Sequence, residues 1–286
     1  MQRLQNPLCL KKVLFFAAAV CGSYCCNPRV ADGVRRSDTR KDIEMLTDKG
    51  RIVLRLSDKT PGHRNNFLRL VKTHFYDSIL FHRVIKGFVV QTGDQRTKPV
   101  ALQNSDKPPY TIPAEFDPEL FHKRGALNAA RTGEETNPLQ ASSGTQFTMI
   151  QGKLFTDSLL DVTEKRVTRM NAYKLVLQDP ANAWMLDKLK AYAAAKQPDS
   201  AKLIRDQIDT LTVRKMNAIP AYHFSAERRR IYKTIGGAPH LDGNYTVFGE
   251  VVSGMDVVDS IASVKTQQDR PVQDVRIIQA RLIRRK

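Results

Sequence analysis

Beyond Cys26 the chain has no cysteine, and from about Asp157 to Ser225 it has no glycine. The first absence excludes disulfides, cysteine-ligated zinc and thiol catalysis from the folded body. The second, in a stretch rich in Lys, Ala, Leu, Met and Gln, predicts two to four helices; Trp184, Leu186, Leu189 and Tyr192 stand at helical spacing and read as that segment's own core. No glycine-rich phosphate loop and no internal repeat is present. His82 and His240 have no second ligand at metal spacing, so no metal or other cofactor is expected.

The first 26 residues also lack any acid, and VLFFAAAVC is their one apolar run, too short to span a bilayer as a helix. A basic start, a compact apolar block and then the polar stretch NPRVADGVRRSDTRKD form the pattern of an export leader. Residues 1–26 therefore read as a signal peptide or a lipoprotein leader, and 27–41 as a linker. In the lipoprotein case Ala18-Ala19-Val20-Cys21 would place a lipidated Cys21 at the membrane. The expected location is the cell envelope, as a periplasmic or a membrane-anchored protein.

A net charge of +17 predicts attraction to polyanions. Lys and Arg are nonetheless spread along the chain, with short clusters only at 228–230 and 284–286 and no interleaved aromatics. No nucleic-acid partner is expected.

From Asp42, DIEMLTDKGRIVLRLS alternates on both sides of Asp48-Lys49-Gly50, as a two-strand meander does. Thr60-Pro61 then opens a helix with Thr60 as N-cap, ending near His74. FHRVIKGFVVQTGD (81–94) reads as a hairpin around Lys86-Gly87, with Arg83 as an unexpected cation inside an apolar strand. Two brief strands, 125–130 and 146–151, flank a long polar loop. After the glycine-free block, GGAPHLDGNYTVFGEVV returns to strand and turn chemistry, followed by a helix near 255–264 and a strand over 275–283.

FHRVIKGFVVQTGD, GALNAAR, ASSGTQF and LDGNYTVFGEV, in that order, resemble the cyclophilin-type peptidyl-prolyl cis-trans isomerases. TPGHRNNFLRLV stands where the family has its first helix, and DRPVQDVRI where its closing strand begins. The resemblance covers 42–283 outside the helical block. It implies a mainly β fold: a closed eight-stranded antiparallel cyclophilin-like barrel capped by two helices, here in 42–286 and interrupted by a helical insert at about 157–225.

The implied activity needs no nucleophile, since rotation about X-Pro breaks no bond. A catalyst must hold the twisted amide better than the planar one. Arg83 is the expected donor to the prolyl nitrogen, and Gln91, on the same strand face as Val89, its orienting acceptor. By resemblance Phe88, Val89, Thr148, Leu241 and Tyr245 line the proline slot, while the main chain of Ala130 and Arg131 meets the substrate. Thr148 replaces the family's phenylalanine, Val89 a methionine, Tyr245 a histidine and His240 a tryptophan, which predicts altered and reduced activity.

The expected partners are proline-containing polypeptides, bound by a monomer that assists folding of exported proteins. The alternative is a low-activity or inactive proline-binding or chaperone module whose helical insert carries the partner surface.

Overall fold

The computed structural model describes residues 29–31, 33–103 and 109–285; the leader, with Cys21, lies outside them. Eight strands form one antiparallel sheet: β1 (Lys41–Thr47), β2 (Gly50–Leu56), β3 (Arg83–Ile85), β4 (Val89–Thr92), β5 (Ala126–Ala129), β6 (Phe147–Ile150), β7 (Val247–Ser253) and β8 (Ile277–Arg284). They are hydrogen-bonded in the order β8-β1-β2-β7-β5-β6-β4-β3.

The sheet curls around Val84, Val90, Leu127 and Met149, each no more than 1% exposed, and two helices pack on this core. α1 (Pro61–Lys72) contributes Phe67, Leu68, Leu70 and Val71. Phe67 meets Phe147 edge-on at 5.0 Å, a favoured aromatic geometry. α6 (Met255–Ala262) contributes Val257, Val258, Ile261 and Ala262.

The expected closure does not occur: β8 and β3 share no ladder, and the fold is an open, curled half-barrel. The segment before β3 touches the start of β8 and the residues just before it, through Ser78 N–H to Ile277 O (2.8 Å) and Phe81 N–H to Val275 O (2.9 Å). Ser78 adopts a left-handed φ of 67°, so this segment cannot continue β3 as a strand. The free edge of β3 is covered instead by a two-residue hairpin tip, where Val84 N–H donates to Asp269 O at 2.6 Å.

The start of α1 also differs from expectation. Thr60 makes no side-chain cap, and its buried Oγ1 has no partner among the described residues. Glu115 does the capping, accepting the N–H of Gly62 (3.0 Å) and of His63 (2.9 Å). A carboxylate at a helix N-terminus satisfies free donors and matches the dipole.

The glycine-free block forms α2 (Asp157–Gln178), α3 (Ala183–Ala194) and α4 (Pro198–Ala218), with α5 (Ala226–Thr234) returning to the sheet. Its core is Val176, Leu177, Met185, Leu186, Leu189, Ala201, Ile204 and Ile208. Trp184 is 47% exposed and lies outside this core, because Leu186 and Leu189 take the inward face of α3. Residues 157–225 hold eleven Lys and Arg against eight Asp and Glu, so little of the net charge resides here.

Candidate active site

Alternation in the strands around Val84 sends one set of side chains to the core and its neighbours outward. The outward set forms a row across the sheet: Arg83 is paired with Gln91, Gln91 with Thr148, Thr148 with Asn128 and Asn128 with Val247. Cross-strand pairs of this kind hold side chains about 5 Å apart. Gly93 ends β4 with φ +96°, and a Cβ there would fall 2.2 Å from Thr145 O. Only glycine lets β4 lie this close to the loop that carries Gln146.

Arg83 is held at two nitrogens. Its Nη1 donates to Gln91 Oε1 at 3.4 Å, and its Nε lies 3.4 Å from Asp269 Oδ2. Nη2 has no acceptor among the described residues. Gln91 in turn donates to Gln146 Oε1 at 3.1 Å. The Thr148 hydroxyl donates to Asn128 Oδ1, and both residues are buried.

Beside this polar row lies an apolar one, made by Val89, Ala126, Ile150, Ala238 and Val247 with the half-buried Phe88 and Leu241. The His240 ring packs on Phe88 with centroids 5.1 Å apart. Burial, aided by the positive charge of Arg166, lowers the His240 pKa to about 4. The segment 239–245, which carries His240, Leu241 and Tyr245, is pinned from beneath. Buried Asp242 accepts His122 N–H (2.9 Å), bonds His122 Nδ1 (2.8 Å) and accepts the Tyr232 hydroxyl (2.7 Å).

Ala130 and Arg131 leave the end of β5 along the rim. Both main-chain groups of Ala130 are bonded within the protein, its N–H to Gln146 O (3.0 Å) and its carbonyl from Ser143 N–H (2.7 Å). Those of Arg131 have no partner among the described residues. The Arg131 side chain is buried, bonded to Asn244 O at 2.7 Å and stacked 4.3 Å from the Tyr245 ring centroid. A cavity of about 660 Å³ adjoins this rim, bounded by Gln91, Ala130, Arg131 and Gln146 on one side and by the end of α1 on the other. None of Phe88, Val89, Thr148, Leu241 and Tyr245 lines it, so the apolar patch lies beside the cavity and not within it.

Arg83, Gln91, Phe88, Val89, Thr148, Leu241, Tyr245, Ala130 and Arg131 thus gather on one outer face. Sequence reasoning missed three polar members. Asn128 was within reach, because alternation in GALNAAR places it with Ala126 and Ala130. Gln146 was within reach too, since alternation in 146–151 places it with Thr148; Asp269 gave no comparable signal, since it reaches the site from a hairpin tip distant in sequence.

A curled eight-stranded antiparallel sheet with two helices on its core has the architecture of a cyclophilin-like domain, here with helices inserted at its rim. The family model described as "Cyclophilin type peptidyl-prolyl cis-trans isomerase/CLD" matches residues 42–163 and 228–282. The chain belongs to this family.

A protein of Staphylococcus saprophyticus named as a peptidyl-prolyl cis-trans isomerase is 28% identical over 237 residues, covering 82% of this chain and 87% of its own length. One of Streptococcus pyogenes, named as a bifunctional phosphatase/peptidyl-prolyl cis-trans isomerase, is 29% identical over 243 residues; the match takes in 83% of this chain and 37% of that protein. The crystal structure of a Cryptosporidium parvum cyclophilin type peptidyl-prolyl cis-trans isomerase superposes with a TM-score of 0.49 at 16% identity, covering 86% of this chain and 99% of its own.

Proposed function

We propose that this isomerase accelerates rotation about X-Pro bonds in exported proteins, with Arg83 as the catalytic donor. The observation that carries the reading is the held but incompletely used guanidinium. Gln91 and Asp269 engage two of its nitrogens, and Nη2 remains to donate.

Planar amide resonance sets a barrier of roughly 18–20 kcal/mol. As the bond twists, the prolyl nitrogen regains a lone pair, and a fixed cation beside it binds the twisted state selectively. One hydrogen bond to a charged group contributes about 1.5–3 kcal/mol, or roughly ten- to a hundredfold in rate. The remainder must come from desolvation on the patch of Phe88, Val89 and Leu241. The free N–H and C=O of Arg131 offer a substrate strand one main-chain rung.

Thr148 limits this activity. Its hydroxyl is spent on Asn128, and it presents less apolar area to a proline ring than an aromatic would. That observation also favours the second reading, a weakly active proline-binding module. Export rests on the leader pattern alone, and the lipidation of Cys21 is open to intact-mass measurement of the mature protein.

NMR exchange on an Ala-Pro peptide tests the assignment. The wild type should speed exchange, and Arg83→Ala should lose about ten- to a hundredfold. Exchange at the uncatalysed rate with both proteins would leave only the binding reading.

A further inference from the structure

The family match breaks off at residue 163 and resumes at 228, yet the inserted helices are not remote from the site. α2 packs directly against Pro239–Leu241, the segment that supplies His240 and Leu241 to the apolar patch. On the same side Lys153 is hydrogen-bonded through its main chain to Gly237 in both directions, at 3.2 and 3.0 Å. Beyond His240 the patch is therefore bordered by residues that the insert and the segment leading into it provide.

These residues have a definite chemistry. Leu159, Val162 and Arg166 are exposed and lie three and four positions apart, so they share one face of α2. Leu154, 60% exposed, stands beside Lys153. Among the described residues neither Lys153 nor Arg166 has a carboxylate partner. The acids of the first turns of α2 are already taken, Asp157 by Lys233 and Arg229, and Asp161 by Arg229. The positive charges of Arg166 and Lys153 both help to lower the His240 pKa.

We propose that this face of α2, with Lys153 at its edge, binds the stretch of substrate flanking the proline and favours an acidic side chain there. The inference rests on the isomerase reading above and names the substrate class for the same site. Its occupant is the substrate chain itself, because the surface is continuous with the patch that takes the proline. Packed helices lie about 8–10 Å from their neighbours, and an extended residue spans about 3.3 Å, so the favoured position is about three residues from the proline. Since α2 borders the patch on one side only, the preference falls on one side of the proline.

Two nine-residue peptide series around a central Ala-Pro, with Asp or Lys scanned through each flanking position, provide the test. NMR exchange would be followed with the full-length protein and with Lys153→Glu/Arg166→Glu. An unflanked Ala-Pro tetrapeptide should be isomerised equally by both proteins. Asp near the third position on one side should raise kcat/KM about two- to fivefold over Lys in the wild type, at low salt only. The double variant should reverse the order while keeping its melting temperature.

Equal rates for Asp and Lys peptides, or a preference that survives charge reversal, would overturn the proposal. If no peptide is isomerised, the isomerase reading has failed by itself. Fluorescence anisotropy with the same peptides would then decide the flank preference on binding alone, where equal affinities for the Asp and Lys series overturn it.

Discussion

The curled sheet and the helical insert rest on cores of very different size. The sheet curls over a continuous core of 27 buried residues, whereas the insert shares a core of eight. A small apolar cluster of Leu160, Phe224 and Tyr232 and ion pairs at the rim fasten the insert to the body, with Arg205 on Glu135 at 2.9 and 3.0 Å and Arg229 on Asp157, Asp161 and Glu164. Burial of apolar area is stronger than exposed ion pairs, and low-stability units open first. A rigid wall holds the reacting groups, and a looser neighbour shapes what approaches them.

The sharpest way to break this contrast is at the cores. Phe147→Ala empties a fully buried site between α1 and the sheet and should cost about 3–5 kcal/mol. Denaturant titration should show the whole sheet and the isomerase activity lost together. Ile208→Ala in the insert core should cost about 2–5 kcal/mol but act locally. Trp184 is the chain's one tryptophan and sits in α3, so its fluorescence reports the insert. In this variant the Trp184 transition should move to lower denaturant while activity on short peptides persists.

A smaller effect sharpens the account of the site. Asp269→Asn keeps a residue that tolerates the φ of +64° at the hairpin tip and keeps the main-chain bond to Val84. It removes the negative charge beside Arg83. We expect kcat/KM to fall about two- to fivefold, with no further loss in an Arg83→Ala background. A further loss there would mean that Asp269 acts on the fold and not through Arg83.

A different kind of effect concerns pH. The His240 pKa lies at about 4 against an ordinary 6.5, so the fold favours the neutral ring. Its contribution to stability is complete above 6.5 and is lost as pH falls toward 4. With His240 neutral, kcat/KM should stay flat from pH 5 to 8. Midpoints of denaturation should fall between pH 6.5 and 4.

Much of the site could be read from residue order, because hairpin alternation determines which side chains share a face. Arg83, Val89 and Gln91 follow from that rule. What local pattern cannot supply is a partner from elsewhere in the chain. Glu115 caps α1 from more than fifty residues away, Asp269 reaches Arg83 from the far end, and Asn128 takes the hydroxyl of Thr148. The exposure of Trp184 depended on which face α3 turned inward, and its helical spacing allowed two choices. Closure failed because Ser78 and the tip at Asp269 occupy the edge where β3 would have met β8.

The central claim, that catalysis belongs to the outer row of the sheet and not to the insert, can be tested in one experiment. Isomerisation of an unflanked Ala-Pro tetrapeptide would be compared between Arg83→Ala and Ile208→Ala, with Trp184 fluorescence followed in the same samples. The account predicts that Arg83→Ala loses about ten- to a hundredfold in kcat/KM with an unchanged Trp184 signal, and that Ile208→Ala shifts the signal and keeps its rate. Retained activity in Arg83→Ala, or activity lost in step with the Trp184 signal in Ile208→Ala, would contradict it.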